Sequence, residues 1–98
     1  MKSIVTITMN PSIDQSSITD FVTDEKKIRC RNIRYDPGGG GINVSRAINI
    51  LGGKTRAFYP AGGCMGDFLE ELLNKQNISQ TRIHVNEDTR VNVHLHVS

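Results

Sequence analysis

The sequence lacks a dominant charge, has little cysteine, and contains no long apolar run. Its 98 residues carry twelve Lys and Arg against ten Asp and Glu, a formal net charge of +2. The basic residues are scattered, and a single short aromatic-basic cluster does not make a nucleic-acid surface. The two cysteines, Cys30 and Cys64, stand far apart with no CxxC spacing, so neither a zinc site nor a disulfide framework is indicated. No apolar stretch approaches the roughly 18 residues of a membrane span, so no membrane partner is expected. The opening "MKSIVTITMNPS" has no long apolar segment leading to a small-residue cleavage site. It does not read as a signal peptide, and a cytoplasmic protein is expected.

What is present is ordinary for a folded chain. An apolar fraction of 37% and a charged fraction of 22% argue against disorder. The length allows one domain at most, with a marginal core.

"SIVTITM" (Ser3–Met9) is short and β-branched and stops at "NPS", which predicts a buried first strand. "SSITDFVT" and "KIRCRNIRYD" follow around the turn "DEKK", a plausible hairpin with Ile28, Cys30 and Ile33 alternating with charged neighbours. Then come the four glycines Gly38–Gly41, after which Val44, Ala47, Ile48 and Leu51 fall at the spacing of one helical face. Gly52 and Gly53 supply the stop. "TRAFYPAGG" predicts another strand, and "CMGDFLEELLNKQNI" a second helix with Phe68, Leu69, Leu72 and Leu73 on one side. "TRIHV" and "RVNVHLHVS" read as strands, the latter alternating Val91, Val93, Leu95 and Val97 with Asn92, His94 and His96. The strand–helix–strand–helix series predicts an α/β fold with parallel pairing, to which the hairpin and last strand add a half-exposed sheet. The chain ends inside a strand, which suggests the beginning of something longer.

Two nucleotide motifs fail. "GGKT" (Gly52–Thr55) has the end of a Walker A loop, but the required earlier glycine would fall at Ile48, and the segment joins helix to strand. Gly38 and Gly40 match the first two glycines of the dinucleotide fingerprint, but Asn43 occupies the third position. The tetraglycine still has physical content. It lets a ligand approach the main chain at a helix N-terminus, where N–H groups and the helix dipole favour anions and polar groups. The alternative is a tight turn packing helix on sheet.

Asn43 in the first helical turn reads either as a cap or as an amide aimed at the same ligand. Asp14 closes "NPSID" after the first strand, where open α/β sheets bind ligands; it reads as an acceptor of sugar hydroxyls or as a solvated loop aspartate. Arg90, beside Asp88, offers a donor fork suited to phosphate or forms a surface ion pair. Lys27 and Arg29 on the hairpin share that ambiguity. His94 and His96 read as a solvated strand face, and Cys64 as a small residue filling a turn.

Together, "DPGGGGINVSRAINILGG", "YPAGGCMGDFLEELL" and "TRVNVHL" resemble the N-terminal third of the PfkB (ribokinase-like) carbohydrate kinases. Within that family the chain looks most like the minor 6-phosphofructokinase group, through "TITMNPSID", "KKIRC" and "GGGGIN". The related 1-phosphofructokinases and tagatose-6-phosphate kinases commonly carry a lysine in the glycine run.

The resemblance implies a mostly parallel α/β sheet with a small β-sheet lid. The expected division is a core of 1–14 and 37–81, with lid strands at about 15–36 and 82–98. It further implies that Asp14, Gly38, Gly39 and Asn43 bind the sugar and that Arg90 reaches its 6-phosphate. Lys27 and Arg29 would help to close the site in a homodimer paired through the lids, Arg29 crossing into the neighbouring subunit.

The implied reaction moves the γ-phosphoryl of ATP to the 1-hydroxyl of fructose 6-phosphate. The second signature of the family, a "G-A-G-D"-type motif carrying the general-base aspartate, does not occur here. ATP and Mg2+ would likewise be bound by the absent part, leaving the 98 residues inactive alone. A rival of another class is a non-catalytic sugar-binding or oligomerising module, although a chain cut at an unpaired sheet edge is an aggregation liability.

Overall fold

The computed structural model describes residues 3–20 and 29–97. β-Branched residues start the fold in β1 (Ile4–Ile7), and Pro11 separates it from β2 (Ser12–Thr19). β3 (Arg31–Gly38) leads into α1 (Gly40–Ile50), β4 (Thr55–Ala61), α2 (Gly63–Lys75), β5 (Gln80–His84) and β6 (Arg90–Val97). The strands make two sheets. One is parallel, in the order β1-β4-β5; the other is mixed, in the order β3-β2-β6, with β2 antiparallel to β3 and parallel to β6.

Both helices cover one face of the parallel sheet. Ala57, Tyr59 and Ala61 alternate along β4 onto that face and pack with Ile42 of α1 and with Leu69 and Leu73 of α2. The Tyr59 hydroxyl donates to the Gln80 side-chain oxygen, and burial pushes the phenol pKa well above its usual range. Arg82, only 7% exposed, ties β5 to α2 through Asp67 at 2.7 Å and Glu70 at 3.2 Å. Its Nε also donates to the Ala61 carbonyl at 3.1 Å.

Two expectations about burial are corrected. The apolar residues of β1 are not inside: Thr6 and Thr8 are buried, whereas Ile4, Val5 and Ile7 are exposed. β1 is an edge strand with only its helix-facing side covered, and that side carries the threonines. Helix α1 is likewise turned away from the expected face. Its buried residues are Ile42 and Ser45, while Val44 is half exposed and Leu51 is 85% exposed. A hydroxyl chain holds it instead, Ser45 Oγ lying 2.6 Å from Thr6 Oγ1 and 2.7 Å from Thr55 Oγ1.

Ser12–Asp14 belong to the mixed sheet, and Arg82–His84 to the parallel one. Cys64 sits exposed in the first turn of α2 and fills no turn. The expected turn "DEKK" lies outside the described residues.

The mixed sheet docks at one end. Ile13 and Pro37 are buried there, and the Tyr35 ring meets Phe68 of α2 edge-on at 5.3 Å between centroids. Beyond that contact, Ile33, Val91, Val93, Leu95 and Val97 stay exposed. Ser12, Asp14, Asn92 and Arg90 lie on the opposite face, because register partners and i, i+2 neighbours share a side.

Candidate functional site

Strand register assembles the site. Ser12 pairs with Gly38 on one side and Arg90 on the other, and Asp14 pairs with Asp36 and Asn92. Two rows of side chains therefore cross the mixed sheet on one face. Asp14 is thus a strand residue, not the loop residue expected from "NPSID", because β2 begins directly after Pro11.

The Asp14 carboxylate is held by neutral donors. Ser12 Oγ donates to Asp14 Oδ1 at 3.0 Å, and Asn92 Nδ2 donates to the same oxygen at 3.3 Å. Asn92 Nδ2 also lies 3.4 Å from Ser12 Oγ. Oδ2 lies over Gly38, where a β-carbon would stand 2.6 Å from it. The neighbouring acid behaves differently: Asp36 pairs with Arg34 at 2.9 Å and with Arg46 at 3.9 Å. Asp14 Oδ1 lies 2.8 Å and Ser12 Oγ 2.6 Å from the same β-carbon position, so Asp14 is a half-buried carboxylate seated with Ser12 over the bare backbone of Gly38.

The glycine run places a helix start beside this acid. Gly39, at φ 124, precedes α1 and its carbonyl accepts from Asn43 N–H at 2.9 Å. No side chain of the helix entry caps α1, which decides one of the two readings of Asn43: its exposed amide is not a cap. Thr8 takes that role from the end of β1, its Oγ1 accepting Ile42 N–H at 2.8 Å. The protein's own packing also accounts for more of the glycines than ligand access alone would. A β-carbon at Gly39 would meet Thr8 Cγ2 at 2.5 Å, and one at Gly41 would meet Thr8 Oγ1 at 2.6 Å and the Ile7 carbonyl oxygen at 2.9 Å. Within the run Gly38–Gly41, Gly40 faces open space.

Arg90 opens β6, and its guanidinium donates to the Asn10 carbonyl at 3.2 Å. The expected pairing with Asp88 is not what engages that acid: Asp88 Oδ1 accepts Met65 N–H at 3.1 Å, at the head of α2. Arg90 lines a cleft of about 550 Å³ with Met9, Asn10, Pro60 and Val85, at the carboxyl ends of the parallel strands. The cleft does not include Asp14, Gly38, Gly39 or Asn43. The convergent hydrogen bonding places the polar site beside it, with Arg90 on the border of both.

Arg29 is not brought to Asp14. It precedes β3, whose first residue pairs with Ile18, whereas Asp14 pairs with Asp36 further along. Lys27 lies outside the described residues. Sequence reasoning missed Ser12, Asn92 and Thr8. An amide set among the valines and leucines of β6 was the available signal, since Asn is depleted in strands.

An open parallel sheet with helices on one face, a mixed sheet beside it, and a carboxylate, an arginine and a helix N-terminus near the strand ends define an α/β protein with polar groups gathered where such sheets bind ligands. Residues 4–98 match the pfkB family carbohydrate kinases, and the chain belongs to that family. It is 44% identical over 97 residues to the ATP-dependent 6-phosphofructokinase isozyme 2 of Escherichia coli, covering 99% of this chain and 31% of that protein. The enzyme of the same description from Mycobacterium tuberculosis (strain H37Rv) is 45% identical over 87 residues, covering 89% of this chain and 26% of the relative. The crystal structure of the E. coli phosphofructokinase-2 in complex with fructose-6-phosphate superposes with a TM-score of 0.92 at 44% identity, covering 100% of this chain and 32% of that one. The chain thus spans about a third of the length of these relatives. The fold is that of the ribokinase-like kinases.

Proposed function

We propose that this chain is the acceptor-binding segment of an ATP-dependent 6-phosphofructokinase, which moves the γ-phosphoryl of ATP to the 1-hydroxyl of fructose 6-phosphate. The observation that carries the reading is the Asp14 carboxylate with Oδ2 over bare Gly38 and with Arg90 on the same sheet face. The likeness to the two isozyme 2 enzymes supports the choice of reaction.

In this reading Asp14 accepts hydrogen bonds from sugar hydroxyls, Gly38 gives that carboxylate room against the main chain, and Gly39 turns the backbone so that the ring meets the head of α1 where Gly40 is open. The exposed Asn43 amide adds a polar contact, and the Arg90 guanidinium meets the 6-phosphate as a charge-assisted donor. The mixed sheet acts as the lid. Arg29, remote from Asp14 in its own chain, serves the site of a second copy together with Lys27. The exposed row Val91, Val93, Leu95 and Val97 supports lid-to-lid pairing. One structure of the E. coli relative is of a tetrameric inhibited form of that enzyme.

ATP, Mg2+ and the general base are assigned outside this segment. Among the described residues no three His, Cys, Asp or Glu side chains converge to hold a metal. Among those residues, too, no helix is long and apolar enough to cross a membrane.

Calorimetry on the natural full-length chain tests the reading. Fructose 6-phosphate should bind, and Asp14→Ala should abolish that binding. ATP binding by residues 1–98 alone, with no sugar-phosphate binding by the full chain, would defeat it. The second reading, a 1-phosphofructokinase, rests on relatives 33% and 34% identical. A preference for fructose 1-phosphate would select it over the first.

A further inference from the structure

Asp14 sits in the middle strand of the mixed sheet between unlike neighbours. On one side stands Asp36, which is occupied by its own arginines. On the other stands Asn92, directly opposite in the parallel register of β2 and β6. A half-buried carboxylate beside a second acid has every reason to turn outward, and no lysine or arginine is paired with Asp14 among the described residues. Its orientation instead rests on two neutral donors that meet the same oxygen, Ser12 at 3.0 Å and Asn92 at 3.3 Å. Ser12 is two residues away on the same strand and moves with β2. Asn92 is 78 residues away and is the member that ties the carboxylate to a different strand.

We propose that Asn92 is a positioning residue for acceptor binding: by donating to Asp14 Oδ1 it holds the carboxylate over Gly38 in the orientation that meets the ligand. The proposal rests on the reading of Asp14 as the sugar-binding acid and adds the residue through which that acid is aimed. Asn92 need not touch the sugar. Its neighbours on β6, Val91 and Val93, point to the other face, so the amide is placed by the pleat alone. An amide suits the task because it donates at neutral pH without bringing a charge that would neutralise the acid.

The test is steady-state kinetics on the natural full-length chain with three variants. Asn92→Leu keeps the bulk and removes the donor. The KM for fructose 6-phosphate should rise roughly tenfold, the scale of one hydrogen bond to a charged group. The KM for ATP should stay within about twofold, and kcat at saturating sugar should change far less than KM. Asn92→Asp keeps the shape but sets two carboxylates side by side, and such a pair retains one proton only at low pH.

With that proton the new acid donates as the amide did, so the sugar KM of Asn92→Asp relative to the unmodified enzyme should fall as pH is lowered from about 8 to about 6. Asp36, Arg34, Arg90 and His94 on the same face are common to both proteins, so the ratio cancels their titration. A sugar KM unchanged in Asn92→Leu, or a pH-independent ratio for Asn92→Asp, overturns the proposal. Asp14→Asn separates the two levels. If it abolishes sugar binding while Asn92→Leu is silent, only the positioning role fails; if it too is silent, the acceptor-site reading fails with it.

Discussion

The Thr8 hydroxyl, at the end of β1, accepts the Ile42 N–H at 2.8 Å and so closes the first turn of α1 from a different element. A helix entered through glycines has no side chain of its own for that purpose. Thr8→Val preserves shape and leaves the Ile42 N–H unpaired, and should cost about 1 kcal/mol, the usual loss at a cap. Thr8→Ser should keep most of the stability. Urea unfolding midpoints check both, and equal midpoints for wild type and Thr8→Val would show that the bond does not hold the turn.

Gly40 and Gly41 should respond in opposite directions to alanine. At Gly41 the added carbon meets Thr8 Oγ1 and the Ile7 carbonyl, whereas at Gly40 it meets nothing within 4 Å. Gly41→Ala should destabilise the chain and loosen the Thr8 cap. Gly40→Ala should stabilise it by about 0.5–1 kcal/mol, as alanine does over glycine within a helix. Thermal unfolding of the two variants side by side decides the matter.

Arg90→Ala should weaken fructose 6-phosphate binding by about ten- to a hundredfold, the range for a hydrogen bond to a charged group. Binding of unphosphorylated fructose should change far less. Calorimetry with both sugars reads the difference, and equal losses would remove Arg90 from the phosphate.

Tyr59 should set an alkaline limit to stability. Its phenol is buried and its pKa lies above the ordinary value of about 10, first through desolvation and then through the Glu70 charge. The unfolded chain therefore releases the phenolic proton at lower pH than the folded one. The stabilisation is whole below pH 10 and is lost as pH rises beyond it. Tyr59→Phe should flatten that decline while forfeiting the bond to Gln80, and urea unfolding from pH 9 to 11 measures both effects.

The sequence made α2 legible because its packing is apolar: Leu69 and Leu73 are buried at the spacing the pattern predicts. It concealed the orientation of α1 because Ser45, Thr6 and Thr55 bind that helix through hydroxyls, which apolar periodicity does not register. Asp14 was recognisable as a chemical group but was placed in a loop, since "NPS" marks the end of β1 without revealing that β2 begins at once. Asn92 could be read only as an amide out of place in a strand. Its significance comes from a partner 78 residues earlier, and only the parallel register of β2 and β6 brings the two together.

That same pairing sets an order of events during synthesis. The β2–β3 hairpin and the first crossover can form while the chain is still emerging, but β2 acquires its second neighbour only when residues 90–97 have been made. Closing so long a loop is slow compared with local contacts. A nascent chain stalled before Arg90 would hold the Asp14 carboxylate without the amide that steadies it, so that acid is set in place only once β6 has paired.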